Sequence, residues 1–371
     1  MPRVVVAPDK FKGSLPADRV AEAVAAGLRR VVPTAEVFEC PIADGGEGTV
    51  AAAVAAGFRH VRLTATGPTG ERVATGYARR GETAVVELAA VSGFGLLPGG
   101  RLAPLTASTL GVGEVIRQAL DDGCTRVVLG IGGSTSTDGG AGLVRGLGAR
   151  LLDADGDELP PGGAALLKLD RIDLDGLREA DIVLAGDVDN PLLGEHGAAA
   201  VYAPQKGATA AEVELLERAL ARFAAVVRAQ TGADLAEAPG AGAAGGVGFA
   251  ALALLGAVFR PGIDVVLELA GFEDKLTGTD LVITGEGSVD EQTLRGKGPA
   301  GVAAAAKAHG IPAVAVAGRV TLAPEVLARH GFSAAYALTG IEPDIDRCLA
   351  HPAELLERLA AQVATDWLTA S

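Results

Sequence analysis

Short apolar runs that end in a glycine-rich polar loop and pass straight into a helical pattern recur at both ends of this 371-residue chain. Arg3 to Ala7, Val37 to Cys40 and Val61 to Thr66 read as strands, with helical patterns over Ala17 to Arg30 and Thr49 to Ala56 between them. The same beat returns late in the chain. Strand patterns at Leu281 to Thr284, Ala313 to Ala317 and Ala334 to Leu338 alternate with helical ones at Ala300 to His309, Pro324 to Arg329 and from Ala353 to about Trp367. A crossover helix returns the chain to the same end of the sheet, so such alternation makes neighbouring strands parallel. The expected fold class is α/β: a doubly wound, mostly parallel sheet of about six strands, three from each end, split by an inserted second α/β domain. The turn signal GPTG, Gly67 to Gly70, closes the first block, and Val73 to Arg79 and Thr83 to Ala89 then read as paired strands. The domains so drawn are residues 1–66 with 279–371, Rossmann-like, and residues 67–278, inserted, with strands of their own at Arg126 to Leu129 and Asp181 to Ala185.

Composition narrows the partners. Lys and Arg number 32 against 46 Asp and Glu, a net charge of −14, and aromatics are scarce (9 Phe, 3 Tyr, 1 Trp), so no nucleic-acid partner is expected. The 52 glycines favour sites lined by backbone. Cys40, Cys124 and Cys348 are odd in number and flank apolar segments, which reads as buried thiols in a reducing compartment. The first apolar run, Val4 to Ala7, is too short for a secretory signal. Residues 239–259 carry no charge over a length that could span a bilayer, but their first half, PGAGAAGG, has the composition of a loop entering a buried helix. A cytoplasmic protein without a membrane partner is expected, and a homodimer is compatible with the sequence.

The chemistry-bearing residues gather in the loops after strands, where open α/β sheets bind ligands. In GIGGSTSTDGGAG, Gly132, Gly133, Ser134 and Thr135 suit a phosphate cradle of backbone N–H and hydroxyl donors, and Asp138 is placed to reach a phosphate-bound magnesium. PGAGAAGGVG carries GxGxxG at Gly240, Gly242 and Gly245, a weak dinucleotide fingerprint because no strand pattern precedes it; a nucleotide loop and a packing loop are equally open. APDKFKGSL sets Asp9, Lys10, Lys12 and Ser14 after the first strand, with cations suited to a small carboxylate or phosphate, and PIADGGEGT sets Asp44 and Glu47 after the second. AGDVDNPLLG brings Asp187 and Asp189 to another strand end, where a carboxylate could accept a hydroxyl proton or bind magnesium. ITGEGSVDEQTLRGKGP collects Glu286, Ser288, Asp290, Gln292, Thr293 and Lys297 in one glycine-framed loop.

Other chemistries lack their residues. DADGDE has Glu158 where a calcium loop needs glycine, the GK pair Gly296-Lys297 has Glu291 where a P-loop needs glycine, no GxSxG occurs, and the five histidines show no metal spacing. Carboxylates and lysines in glycine frames, without a catalytic Cys or His, fit phosphoryl transfer, which asks for positioning and charge neutralisation.

The strings APDKFKGSL, PIADGGEGT, GIGGSTSTDGGAG, YAPQKGA, PGAGAAGG, FRPGID and ITGEGSVDEQTLRGKGP, in this order and over nearly the whole chain, resemble the bacterial type of glycerate kinase. The resemblance implies ATP-dependent phosphorylation of D-glycerate, commonly to 2-phosphoglycerate, by a two-domain α/β protein with its site in the cleft between domains. On that reading Asp187 or Asp189 deprotonates the attacking hydroxyl. Lys10 and Lys12 lie near the glycerate carboxylate or the transferred phosphate, Lys297 neutralises the transferring group, and Asp138 and Glu286 are candidates for Mg2+. Asp9, Ser14, Asp44, Glu47, Asp290, Gln292 and Thr293 line the substrate; Gly132, Gly133, Ser134, Thr135, Gly240, Gly242 and Gly245 take the ATP. Phosphorylation at the 3-hydroxyl, a kinase of another hydroxy acid or sugar, and a non-catalytic glycerate or nucleotide sensor are the alternatives.

Overall fold

The structure, a computed structural model, describes every residue except 295, 370 and 371. Among the described residues the strands in chain order are β1 Arg3–Pro8, β2 Glu36–Glu39, β3 Arg59–Thr66, β4 Arg72–Arg80, β5 Thr83–Glu87, β6 Arg126–Gly130, β7 Arg150–Leu152, β8 Arg171–Asp173, β9 Asp181–Gly186, β10 Val258–Pro261, β11 Leu281–Val289, β12 Ala313–Val320 and β13 Phe332–Ala337. The chain forms two compact units: residues 1–44, 51–57 and 263–371 make the first, residues 45–50 and 58–262 the second.

The first unit is built on a parallel sheet in the order β13-β12-β11-β1-β2. Successive side chains of a strand point to opposite faces. Val4, Val6, Ile283, Val314 and Val316 therefore pack on one side with the helices Ala17–Val31 and Pro352–Leu368. Val5, Ala7, Val282, Ala313 and Ala315 pack on the other side with helix Gly298–Ala308 and residues 263–276. Both faces are covered, which is why these strands read as unbroken apolar runs. The first and last helices approach so closely at Gly27 that a Cβ there would lie 2.2 Å from the Glu357 carbonyl oxygen.

The sheet has five strands, not six, because Val61 to Thr66 pairs elsewhere. β3 runs antiparallel to β4, from Arg59 opposite Arg79 to Thr66 opposite Arg72, and GPTG is the hairpin turn between them. Closing a loop of a few residues costs far less entropy than bringing in a distant parallel partner. β3 accordingly lies in the second unit, whose sheet has the order β10-β9-β6-β5-β4-β3, parallel from β10 to β5 and antiparallel from β5 to β3. A separate hairpin joins β7 and β8. The uncharged run 239–259 is a glycine loop leading into the largely buried helix Ala243–Leu255, and no helix among the described residues is long and apolar enough to cross a membrane. The three cysteines are buried and free.

Candidate active site

In the first sheet the chain leaves β1 for β2 on one side and later enters β11, β12 and β13 on the other. The order thus reverses between β1 and β11, and at such a switch point the strand-end loops part and leave room for a ligand. Pro8 pairs with Gly285, so Asp9 and Glu286 sit side by side at this point. Asp9 is anchored by its own N–H to the Gly285 carbonyl at 2.8 Å, and its Oδ1 accepts from the Lys10 N–H at 2.6 Å with the Lys10 ammonium 3.7 Å away. Burial pushes its carboxyl up to about 6; Lys10 opposes the shift, and the negative charges of Asp44 and Glu286 add to it. Asp44 reaches the same place because the chain after β2 continues alongside β1, with the Ile42 N–H donating to the Pro8 carbonyl.

β11 outruns its partner β1 and carries the polar loop with it. Thr293 donates to Glu286 Oε1 at 2.6 Å and accepts from the Asp290 N–H at 3.1 Å. Asp290 Oδ1 accepts from the Gln292 N–H, its Oδ2 from the Ser288 hydroxyl, and Lys297 Nζ donates to Gln292 Oε1 at 3.3 Å. Burial raises the Glu286 carboxyl, while the Gln292 N–H in particular lowers that of Asp290. The structure therefore brings together Asp9, Lys10, Asp44, Glu286, Asp290, Gln292 and Lys297. Two further hydroxyls have partners within the protein. Thr293 is fully buried as the loop's own brace, and the Ser14 hydroxyl donates to the Phe11 carbonyl at 3.1 Å, closing the turn that carries exposed Lys12.

In the second unit the picture changes more. Asp138 is completely buried, and its carboxylate accepts from the Thr109 N–H and hydroxyl and from the N–H groups of Gly140 and Gly142. Fixed in this way it ties two chain segments together, and its oxygens are taken up by these donors rather than held toward solvent. Ser134 and Thr135 also turn inward: Ser134 donates to the carbonyls of Ser136 and Ala244, Thr135 to that of Ser92. Gly133 remains exposed and Gly132 half-buried. At Gly240, Gly242 and Gly245 the space a side chain would need is filled by Phe259, the Pro191 carbonyl and the Ser136 carbonyl respectively. Asp187 and Asp189 are exposed in the loop after β9, Asp187 accepting from the Gly262 N–H at 3.1 Å. Glu47 is exposed in the second unit, whereas Asp44 belongs to the first.

Three residues escaped the sequence reading. Lys206, from YAPQKGA, is buried with its ammonium on the Ser136 carbonyl at 2.5 Å, and burial lowers it to about 7. A lysine framed by proline and glycine after an apolar turn was its sole signal. Glu87, at the end of β5, accepts from the N–H groups of Gly48 and Val50 and so caps the helix Thr49–Ala55. Arg319 sits on β12 opposite Ser288.

Two α/β units, the first collecting carboxylates and lysines at the switch point of a parallel sheet, define a protein that handles small charged molecules at strand ends. The model of the glycerate kinase family matches residues 4–368, and the chain belongs to that family of kinases. It is 43% identical to a glycerate kinase of Bacillus subtilis (strain 168) over 98% of this chain and 97% of that one. It is likewise 43% identical to a glycerate 2-kinase of Escherichia coli (strain K12) over 91% and 90%. A crystal structure of a Salmonella typhimurium LT2 protein provisionally named glycerate kinase 2 matches with a TM-score of 0.86 and 42% identity, covering 98% of each chain.

Proposed function

We propose that this enzyme transfers the γ-phosphoryl group of ATP to the 2-hydroxyl of D-glycerate, giving 2-phosphoglycerate and ADP, in the cytoplasm. The switch-point cluster of Asp9, Lys10, Asp44, Glu286 and Lys297 carries the reading, because a small acid with a reacting hydroxyl needs both signs of charge on rigid strand ends. The name of the Escherichia coli relative favours the 2-position. In the transfer the substrate hydroxyl oxygen bonds to the γ-phosphorus and its proton passes to a carboxylate, for which Asp187 and Asp189 are proposed. The bond from the γ-phosphorus to the β–γ bridging oxygen breaks, and its electron pair leaves with ADP. Lys10 and Lys12 lie near the glycerate carboxylate or the transferred phosphate, Lys297 balances charge on the transferring group, and exposed Gly133 is the part of its loop open to nucleotide.

Mg2+ bound to the nucleotide would neutralise phosphate charge. A metal that arrives on phosphates needs one or two protein carboxylates. Glu286, whose Oε2 carries no hydrogen bond among the described residues, and its neighbour Asp44 or Asp9 fit that need.

Phosphorus NMR of the protein with magnesium, ATP and D-glycerate tests the reading. A new phosphate resonance split into a doublet by the C2 proton is expected; a triplet from the C3 methylene would move the reaction to the 3-hydroxyl, and unchanged ATP would overturn the kinase reading for glycerate.

A further inference from the structure

We infer that Arg319 determines specificity at the switch-point site by taking the carboxylate of the acceptor acid, an inference that rests on the reaction proposed above. β11 and β12 both run past the rest of the sheet, with Ser288 opposite Arg319 in register and Gly287 so close to β12 that a Cβ on Gly318 would lie 2.5 Å from its carbonyl oxygen. The extension also lies against the N-terminal loop, since a Cβ on Gly287 would stand 3.5 Å from the Lys12 nitrogen. Arg319 is thus on the same strand-end edge as Asp9, Lys10 and Glu286.

Its side chain is exposed, and its Nε donates to the Ser288 hydroxyl at 3.0 Å, which in turn donates to Asp290 at 3.1 Å. This anchor uses one of the five guanidinium N–H groups and holds the arm in place, leaving the two Nη groups as a planar fork that matches a carboxylate. Such a group suits the site. Asp9, Asp44, Glu286 and Asp290 repel an incoming acid, and two of the three nearby lysines act against them: Lys10 stands 3.7 Å from Asp9, and the Lys297 charge acts on both Glu286 and Asp290, while Lys12 is exposed on the preceding loop. Arg319 is bonded to a neutral hydroxyl instead. A lysine offers a point charge, whereas the fork pairs with both oxygens of a carboxylate and so adds discrimination between acids and neutral analogues to simple attraction.

Steady-state kinetics of Arg319→Gln and Arg319→Lys against the parent enzyme test the assignment, with D-glyceramide as the neutral counterpart of D-glycerate. Arg319→Gln should raise KM for D-glycerate about 30-fold, as loss of a charge-assisted pair does, with kcat and KM for ATP changed less than about two-fold. Its preference for D-glycerate over D-glyceramide should collapse by a similar factor, and added guanidinium ion should restore part of it. Arg319→Lys should recover less than half of the lost affinity. An unchanged KM for D-glycerate, or a rise confined to KM for ATP, overturns the assignment, the latter moving the guanidinium to the nucleotide phosphates. Calorimetric titration with D-glycerate separates the two readings. Binding that weakens in Arg319→Gln, by an enzyme that forms no product, keeps the Arg319 role and overturns the reaction, and absence of binding to the parent overturns both.

Discussion

Asp9 illustrates what a buried carboxylate costs at the scale of a residue. Its carboxyl holds a proton up to about pH 6 in the folded chain, against the ordinary 3.8. The folded state therefore binds more protons than the unfolded one between those values, and the contribution to stability falls as pH rises through that window and stays lost above it. Asp9→Asn should raise stability at pH 7 by about 1–3 kcal/mol. Thermal melts should show the gain at pH 7 and lose it near pH 3.5; a variant no more stable at pH 7 would mean the carboxylate is not penalised there. Lys206 has the opposite sign. Burial lowers its ammonium to about 7, so the unfolded chain binds the extra proton from there up to the ordinary value of 10.5, and its contribution grows with pH across that range. Urea titrations should show the parent gaining about 2–4 kcal/mol on Lys206→Met between pH 7 and 10. At this scale the sequence exposes residue type and strand-end position, and Asp9, Glu286 and Lys297 stand in the strand-end loops where it puts them. It did not show which way a side chain turns. Asp138, Thr135 and Ser134 have ligand-binding chemistry but direct it to Thr109, Ser92 and Ala244, segments 29, 43 and 110 positions away along the chain.

Among the elements, those with a period long enough to count were legible. The helix Ala17–Val31 and strands β1, β11, β12 and β13 stand within a few residues of where the apolar pattern sets them. β3 alternates exposed Arg62 and Thr64 with inward Val61, Leu63 and Ala65, the pattern of a strand with one solvent face, and the four-residue GPTG turn gives it β4 as partner. Helix contacts are equally invisible to periodicity, and the crossing at Gly27 is a case in point. Gly27→Val would force the first and last helices apart, with an expected loss of about 1–3 kcal/mol. Chemical denaturation should register that loss with the far-ultraviolet helix signal unchanged, and full stability would show that the two helices can separate freely there.

For the molecule as a whole, the first unit is assembled from three stretches of chain, yet its sheet and both covering layers come from those stretches alone. A shortened chain with residues 58–262 replaced by a short glycine-serine linker should unfold in one cooperative transition and transfer no phosphate; a chain without a cooperative transition would show that this core needs the second unit. Removal of divalent cations from the intact enzyme should abolish turnover, with recovery on adding Mg2+, and turnover that survives chelation would rule out a nucleotide-borne metal. The sequence by itself determined the α/β class, the loops where chemistry gathers and, through seven ordered motifs, the family, because apolar period and glycine-framed polar strings are local properties. The tertiary structure alone decided the strand order that puts a switch point between β1 and β11, the transfer of β3 to the second sheet, and which polar groups are buried on partners of their own. Those depend on loop-closure entropy and on burial among residues hundreds of positions apart, and no stretch of chain carries that information in itself.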